Sequence, residues 1–225
     1  MRLVVRTLAV VAISTIAAMS TAAIPASADL RMDDLPSAGE VRTLLGESGR
    51  WQRQRRETAD PIGSRPSRCR STDPFRTASQ QLAASYKRQR NPLNRLHDRS
   101  ASVTAYEFQS TEAASAAVAS SRALADACSK STEWYCTQCD GVITFWRTPV
   151  KNPRVGEESA SWIGKTEDLG RSRYRTIVTR RGNLVVEITL YNGTPPGTTP
   201  FRFAKETPSR RKAVRLTREV LALAD

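Results

Sequence analysis

The sequence predicts an α+β domain: a twisted, mainly antiparallel sheet that packs against helices and is stapled by disulfides. Four strand-length runs rich in β-branched and aromatic residues follow one another between residues 141 and 191. Because no helical segment separates these runs, they are expected to pair antiparallel. Segments with helical spacing lie before and after them. The chain also has four cysteines, and an even number in an exported chain favours disulfides.

The first 28 residues have the composition of a secretory signal peptide. Arg2 and Arg6 precede an uncharged apolar stretch at 8–18, and a run of small residues ends at Ala28, the predicted cleavage point. The apolar stretch is shorter than the roughly 20 residues of a spanning helix. We therefore predict a secreted, extracytoplasmic product without an integral membrane segment, in which residues 29–225 form a single domain.

A helical and basic loop region is predicted at about 35–99. The capping box at Ser37 and Glu40 indicates a short helix that ends at Gly46. The polar, basic segment at 47–70 is interrupted by prolines and predicts a long loop.

A second helix is predicted from Asp73 to about Arg88, because Asp-Pro is a typical helix start and apolar residues then recur at helical spacing. Those residues are Phe75, Ala78, Leu82 and Tyr86. The basic tract at 87–99 follows and carries the only histidine, His97. Because no aromatic residue lies within this tract to stack bases, we interpret it as an exposed connection and not as a nucleic-acid groove.

The second half of the chain is predicted to contain most of the sheet. A strand at 103–108 leads into an Ala-rich helix that Ser110 caps. The four later strands are predicted at 141–148, 160–167, 172–180 and 183–191, with Arg181 and Gly182 forming a hairpin turn between the last two. A final helix follows Thr207 and Pro208, and its inward residues are expected to be Ala213, Leu216, Val220 and Leu223.

The cysteines, Cys69, Cys128, Cys136 and Cys139, are interpreted as two structural disulfides, and three connectivities stay open. A zinc site that includes His97 lacks the paired CxxC spacing of known structural sites. A redox role is disfavoured because a strand-like run, and no helix, follows the CxxC motif. We therefore predict neither a metal nor a cofactor.

The formal net charge is +13, and removal of Arg2 and Arg6 with the leader makes it two lower. Such a charge favours anionic partners. Since nucleic acid is excluded outside a cell, the expected partner is an unknown extracellular ligand, with an anionic envelope polymer or lipid as the candidates. A solvated basic surface without a binding role is the alternative.

Five residues on the predicted sheet are candidates for ligand binding: Trp146, Trp162, Arg173, Arg175 and Tyr191. The aromatic residues either line a pocket or fill the core. Arg173 and Arg175 are two positions apart and share one face of a strand, where they suit an anionic ligand or project into water.

An enzyme is the alternative to a binding domain. A catalytic triad would have to use His97, and no Gly-x-Ser-x-Gly segment presents a nucleophile. The adjacent Glu157 and Glu158 point to opposite faces if they lie on a strand and are solvated if they lie in a turn, so they do not form a glycosidase pair. We predict a non-catalytic domain. A secreted hydrolase or wall-modifying enzyme of unrecognised type, and an exported inhibitor or adhesion partner, remain as alternatives.

Four segments in this order resemble the extracellular sensor domain of actinobacterial PknH-type receptor kinases and its stand-alone exported relatives. They are the strand and Ala-rich helix at 103–128, Trp134 and Cys139 before the strand at 141–148, RVGEESASW at 154–162 and RRGNLVVEI at 180–188. The resemblance implies two disulfides and a cleft beside the sheet that binds an extracellular signal. Without a kinase, a membrane helix or a lipid-bearing cysteine, the chain is expected to be a monomeric, exported sensor-like module that binds a ligand.

Overall fold

The computed structural model describes residues 30–56, 74–88, 98–127, 129–134, 142–167, 171–193 and 207–222. Within these residues, eight strands form one sheet: β1 (Trp51–Arg56), β2 (Gln80–Arg88), β3 (Asp98–Glu107), β4 (Lys130–Trp134), β5 (Val142–Pro149), β6 (Glu158–Glu167), β7 (Arg171–Arg181) and β8 (Leu184–Gly193). Three α-helices accompany them: α1 (Ala38–Leu45), α2 (Thr111–Ala127) and α3 (Arg210–Ala222). The spatial order of the strands is β1-β2-β3-β8-β7-β6-β5-β4, and all neighbours run antiparallel. The prediction of an α+β domain with a mainly antiparallel sheet is therefore confirmed.

Helices cover both faces of the sheet. α1 and α3 pack on one face, against a core that includes Val103, Ile177 and Ile188. α2 packs on the other face, where its small residues contact Ala160 and Val178. Because successive side chains of a strand point to opposite faces, β7 supplies Ile177 to one core and Val178 to the other.

Two of the three helices, α1 and α2, begin where the sequence predicts. Ser37 Oγ accepts a hydrogen bond from the Glu40 N–H at 3.2 Å, and the Glu40 carboxylate accepts one from the Ser37 N–H at 2.6 Å. Gly46 ends α1 with φ 58°, a conformation that costs glycine little. Ser110 Oγ accepts from the Ala113 N–H at 3.2 Å and so caps α2. These caps confirm the predicted starts of α1 and α2.

The last helix begins one residue after Ser209, so Thr207 and Pro208 precede the cap instead of forming it. Three of its predicted inward residues, Ala213, Leu216 and Val220, are buried. The fourth, Leu223, lies outside the described residues.

The predicted helix from Asp73 to Arg88 is wrong, since β2 occupies most of this segment. Leu82, Ala84 and Tyr86 alternate along the strand and pack into the core beneath α1 and α3. Tyr86 Oη donates a hydrogen bond to the Pro36 carbonyl at 2.7 Å, and burial raises the pKa of Tyr86 to about 12. Pairing with β1 and β3 on both sides overrides the helical spacing of the apolar residues.

The predicted loop at 47–70 is wrong in part, because β1 forms an edge strand within it. Trp51 and Arg53 are two positions apart, so both side chains lie on the face of the sheet that α1 covers. The strand is positively charged, and charge on an edge strand disfavours pairing with another chain. β4 was not predicted either.

The four later strands are confirmed: β5 is shifted by one residue, β6, β7 and β8 are longer than predicted, and the hairpin turn differs by one residue. Arg181 is the Cα partner of Leu184, so the turn residues are Gly182 and Asn183. Gly182 has φ 56°, which is the positive φ that the sequence predicts.

Several predictions concern residues outside the described ranges. They are the leader at 1–28, the four cysteines and His97. In the ranges that are described, no helix is long and apolar enough to cross a membrane.

Candidate ligand-binding site

A cavity of about 130 Å³ lies between four elements: the end of α1, the start of β3, the end of β8 and the start of α3. The four elements meet there because α1 and α3 pack on the same face of the sheet. Its lining residues are Leu45, Glu47, Trp51, Arg99, Ser100, Leu190, Tyr191, Asn192, Thr207, Pro208, Ser209 and Lys212.

Glu47 holds two cations at the wall of this cavity. Its side chain is only 8% exposed, and its carboxylate accepts hydrogen bonds from Arg99 Nη1 at 2.6 and 2.7 Å and from Lys212 Nζ at 2.8 Å. Burial raises the pKa of Glu47, but the bonds from Lys212 and Arg99 outweigh burial and lower it below the ordinary value. The ionised carboxylate therefore links α1, β3 and α3.

The start of α3 adds positive charge to the same place. Its first turn contains Arg210, Arg211 and Lys212 and no acidic residue. A helix N-terminus already carries partial positive charge, so three bases there are unfavourable unless an anion is near. Arg175 Nε donates to the Pro208 carbonyl at 2.7 Å, and burial, with a smaller contribution from Arg210, lowers the pKa of Arg175.

Trp51 supplies an unused hydrogen-bond donor in the cavity wall. The residue is 7% exposed, and its indole Nε1 is buried without a hydrogen-bond partner among the described residues. Since a buried donor without a partner costs free energy, such groups call for a specific explanation. Because Nε1 has almost no accessible surface, an occupant of the cavity does not contact it.

The five predicted binding residues divide between the two faces of the sheet. Arg175 donates to Pro208 of the cavity wall, and Arg173 is the Cα partner of Asn192 in that wall. Tyr191 borders the cavity, but it is one position from the core residue Leu190, so its side chain lies on the α2 side of the sheet, where its ring centroid is 6.1 Å from that of Tyr174. Trp146 is on β5, at the same end of the sheet as the cavity. Lys165 Nζ is 4.1 Å from the centroid of its ring. Trp162 packs against the core beneath α2 and is not part of this group.

The sequence did not single out four residues of this cavity: Glu47, Trp51, Arg99 and Lys212. Two of them carried a usable signal. Trp51 is the single aromatic residue in the basic segment at 47–70, and Lys212 belongs to a helix start with three consecutive bases and no acid.

The VGEE and RRGN segments form one structural unit beside the α2 core. Gly156 has φ 65°, and a Cβ on it would collide with Thr179 Oγ1 and the Arg180 carbonyl. Thr179 Oγ1 donates to the carbonyls of Val155 and Glu158 at 2.7 and 2.8 Å, and the Glu157 N–H donates to the Arg180 carbonyl at 2.9 Å. These contacts fix the entry into β6 against the end of β7.

Arg180 completes this unit by binding both glutamates. Its guanidinium donates to Glu157 at 2.5 Å and to Glu158 at 2.6 and 2.9 Å, and Ser115 Oγ of α2 donates to Glu158 at 2.8 Å. The Arg180 bond, followed by that from Ser115, lowers the pKa of Glu158, and Glu158 in turn raises the pKa of Arg180. Glu157 lies in the turn before β6 and its side chain is 49% exposed, as the sequence predicts for a turn position. The ion pairs of both glutamates with Arg180 were not predicted, and they give the arrangement the character of a structural clamp.

Comparisons with known proteins agree with this fold. A family model for the PknH-like extracellular domain matches residues 32–221, which indicates an extracytoplasmic domain of sensor type. The chain belongs to the PknH-like extracellular domain family. This membership confirms the family that the sequence motifs suggested and the extracytoplasmic location.

Two solved structures are similar to the chain. The crystal structure of the extracellular domain of PknH from Mycobacterium tuberculosis superposes with a TM-score of 0.56 at 14% sequence identity, covering 85% of this chain and 93% of that one. An uncharacterised protein of Mycobacterium smegmatis gives a TM-score of 0.40 at 12% identity, with 84% and 97% coverage. A search of curated proteins finds no match.

Proposed function

We propose that the protein is an exported, non-catalytic domain that binds an anionic group of a cell-envelope component in the cavity between α1, β3, β8 and α3. The concentration of positive charge around the cavity carries this proposal. Arg99, Lys212 and the basic first turn of α3 meet there, and Glu47 is the one carboxylate among the lining residues.

The cavity is large enough for a small anionic group. Its volume of about 130 Å³ is several times the roughly 10–15 Å³ that one water molecule needs on a comparable measure. A phosphate or carboxylate group fits this space. Arg99 and Lys212 supply charge-assisted donors.

The export of this domain is part of the same proposal. We propose that residues 1–28 are a cleaved leader, that residues 29–225 form one monomeric domain, and that its four cysteines form two disulfides. The family's extracytoplasmic location supports these assignments, because disulfides persist in such compartments.

Calorimetric titration of the chain with inorganic phosphate and with glycerol phosphate tests the cavity. Arg99→Met and Lys212→Met are each expected to weaken binding by about tenfold or more, since a hydrogen bond to a charged group contributes about 1.5–3 kcal/mol. Arg218→Met is the matched control, because Arg218 is an exposed base on the same helix. Folding of each variant is checked by its denaturation midpoint. Unchanged affinity in folded Arg99→Met and Lys212→Met would show that the anion binds elsewhere.

A further inference from the structure

We infer that the cavity is the end of a longer site, a row of five residues on five strands, three of them basic, that binds a linear polyanion. The inference deepens the proposed function and depends on it. The row, called the basic row below, is Arg99 on β3, Asn192 on β8, Arg173 on β7, Lys165 on β6 and Trp146 on β5.

Strand register places these residues in one line. Arg99 is the Cα partner of Asn192, and Asn192 is that of Arg173. Arg173 is in turn the partner of Lys165, and Lys165 that of Trp146. Since directly opposite residues of neighbouring strands point to the same face, all five lie on one side of the sheet.

That side is the one that α1 and α3 cover. Arg99 precedes the core residue Val103 by four positions, Arg173 precedes Ile177 by four, and even offsets keep a side chain on the same face. The basic row thus crosses the sheet beyond the start of α3. It leaves the cavity at Arg99 and Asn192, two of the cavity's lining residues.

The length of the basic row exceeds any single anionic group. Neighbouring strands lie about 4.8 Å apart, so the four steps from Arg99 to Trp146 span about 19 Å. Lys165 and Arg173 are one step apart, and Arg99 follows two steps later. This spacing matches a chain that carries a negative group at short, regular intervals.

Acidic residues are absent from the basic row and from the row next to it on the side of the core. That next row, Thr148, Ile163, Arg175, Leu190 and Ala101, adds another base. In the next row outward, Glu167 is the Cα partner of Arg171. Arg99 is paired with Glu47, and the adjacent bases Lys165 and Arg173 add positive charge that favours an anionic partner.

Two of the cations are held in position before any ligand arrives. Lys165 Nζ stands over the ring of Trp146, 4.1 Å from its centroid, and the Glu47 carboxylate holds Arg99. A side chain that is already ordered loses less conformational entropy on binding. This order favours a polymer that contacts several cations at once.

A linear polymer fits the basic row better than a membrane does. Proteins that lie on a membrane insert exposed apolar side chains among the lipids. Trp146 is the one aromatic residue of the row, it is half-buried, and Lys165 covers one face of its ring. The expected ligand is a linear polymer with repeated phosphate or carboxylate groups.

The test measures affinity against polymer length, with the full chain and glycerol phosphate oligomers of one to twelve units at 50 and 200 mM salt. Affinity is expected to rise at least tenfold until the oligomer spans about 19 Å, and then to level off. Arg173→Met should weaken binding of the long oligomers by about threefold to tenfold and reduce the salt slope by nearly one, and leave glycerol phosphate binding unchanged. Arg218→Met is again the control. Polygalacturonate distinguishes a carboxylate polymer from a phosphate polymer.

The possible failures differ from one another. Affinity that is independent of length, with Arg99→Met still impaired, overturns the basic row and leaves the cavity as an anion site. Tight binding to anionic lipid vesicles that Arg173→Met weakens, without binding to either polymer, overturns the polymer in favour of a membrane. Absence of binding to glycerol phosphate and to both polymers overturns this inference together with the proposed function.

Discussion

Replacement of Glu47 by glutamine should change stability and anion binding in opposite directions. The carboxylate is 8% exposed and accepts three hydrogen bonds from Arg99 and Lys212. Glutamine keeps the size of the side chain and one carbonyl acceptor, but it removes the negative charge between the two cations. The folded state loses an ion pair, whereas an anion in the cavity loses a repulsive neighbour.

The expected loss of stability is about 2 kcal/mol. Hydrogen bonds to charged groups contribute about 1.5–3 kcal/mol each in buried settings. Here the Arg99 and Lys212 side chains are 40% and 37% exposed, so water screens them and the low end applies. For a domain of this size 1 kcal/mol shifts Tm by about 2–4 °C, which gives a decrease of about 4–8 °C.

The gain in binding follows from the same charge. At an effective dielectric constant of about 20, a unit charge about 10 Å away contributes on the order of 1–2 kcal/mol. Phosphate affinity of Glu47→Gln is therefore expected to rise roughly tenfold.

The contribution of the Glu47 carboxylate to stability should decrease at low pH. The pKa of Glu47 is lower in the folded state than its ordinary value. Its contribution is therefore fully present above about pH 4.5 and is lost as the pH falls through the lowered pKa. The free energies of unfolding of wild type and Glu47→Gln should differ between pH 6 and 8 and become equal in strong acid.

Guanidinium denaturation at pH 7 and at pH 3, with calorimetric titration of phosphate, measures these effects. Glu219→Gln is the matched control, because Glu219 is exposed on α3 and has no ion pair within the described ranges. Equal midpoints for the two variants at pH 7 would refute the stabilising role of Glu47. Weaker phosphate binding by folded Glu47→Gln would refute the electrostatic account of the cavity.

Two further predictions concern the clamp and the cysteines. Gly156→Ala should destabilise the fold by about 2–4 kcal/mol, since the added Cβ meets Thr179 at a φ of 65°; Gly182→Ala, at a φ of 56° with nothing within 4 Å, should cost only about 1 kcal/mol. Denaturation midpoints measure both, and equal losses would contradict a steric role for Gly156. Thiol titration of the denatured, unreduced chain should find no free cysteine, and four reactive thiols would exclude the proposed disulfides.

The parts of the fold that the sequence predicted correctly depend on short-range chemistry. The caps at Ser37 and Ser110 and the positive φ of Gly182 involve residues within a few positions of one another. In β2, helical spacing of Leu82 and Tyr86 competes with strand alternation of Leu82, Ala84 and Tyr86. The sequence is compatible with both patterns, and pairing with the neighbouring strands β1 and β3 selects the strand.

The candidate site was less predictable because its contacts are long-range. Glu47 meets Arg99 and Lys212, which are 52 and 165 positions away in the chain. Nothing local marks such a group of residues before the topology is known. Likewise, Trp146 and Trp162 occupy opposite faces because of the register between β5 and β6, which composition does not reveal.

Register also connects the family motifs with the proposed binding surface. Each member of the basic row lies on a different strand, and a slip of one residue would move its side chain to the other face. The clamp of Gly156, Glu158 and Arg180 fixes β6 against β7 at one end, since Glu158 and Arg180 are Cα partners. Seven residues farther along the same pairing, Lys165 meets Arg173. We therefore expect the clamp to support the proposed binding without touching the ligand, because it sets the alignment that places Arg99, Arg173 and Lys165 in one line.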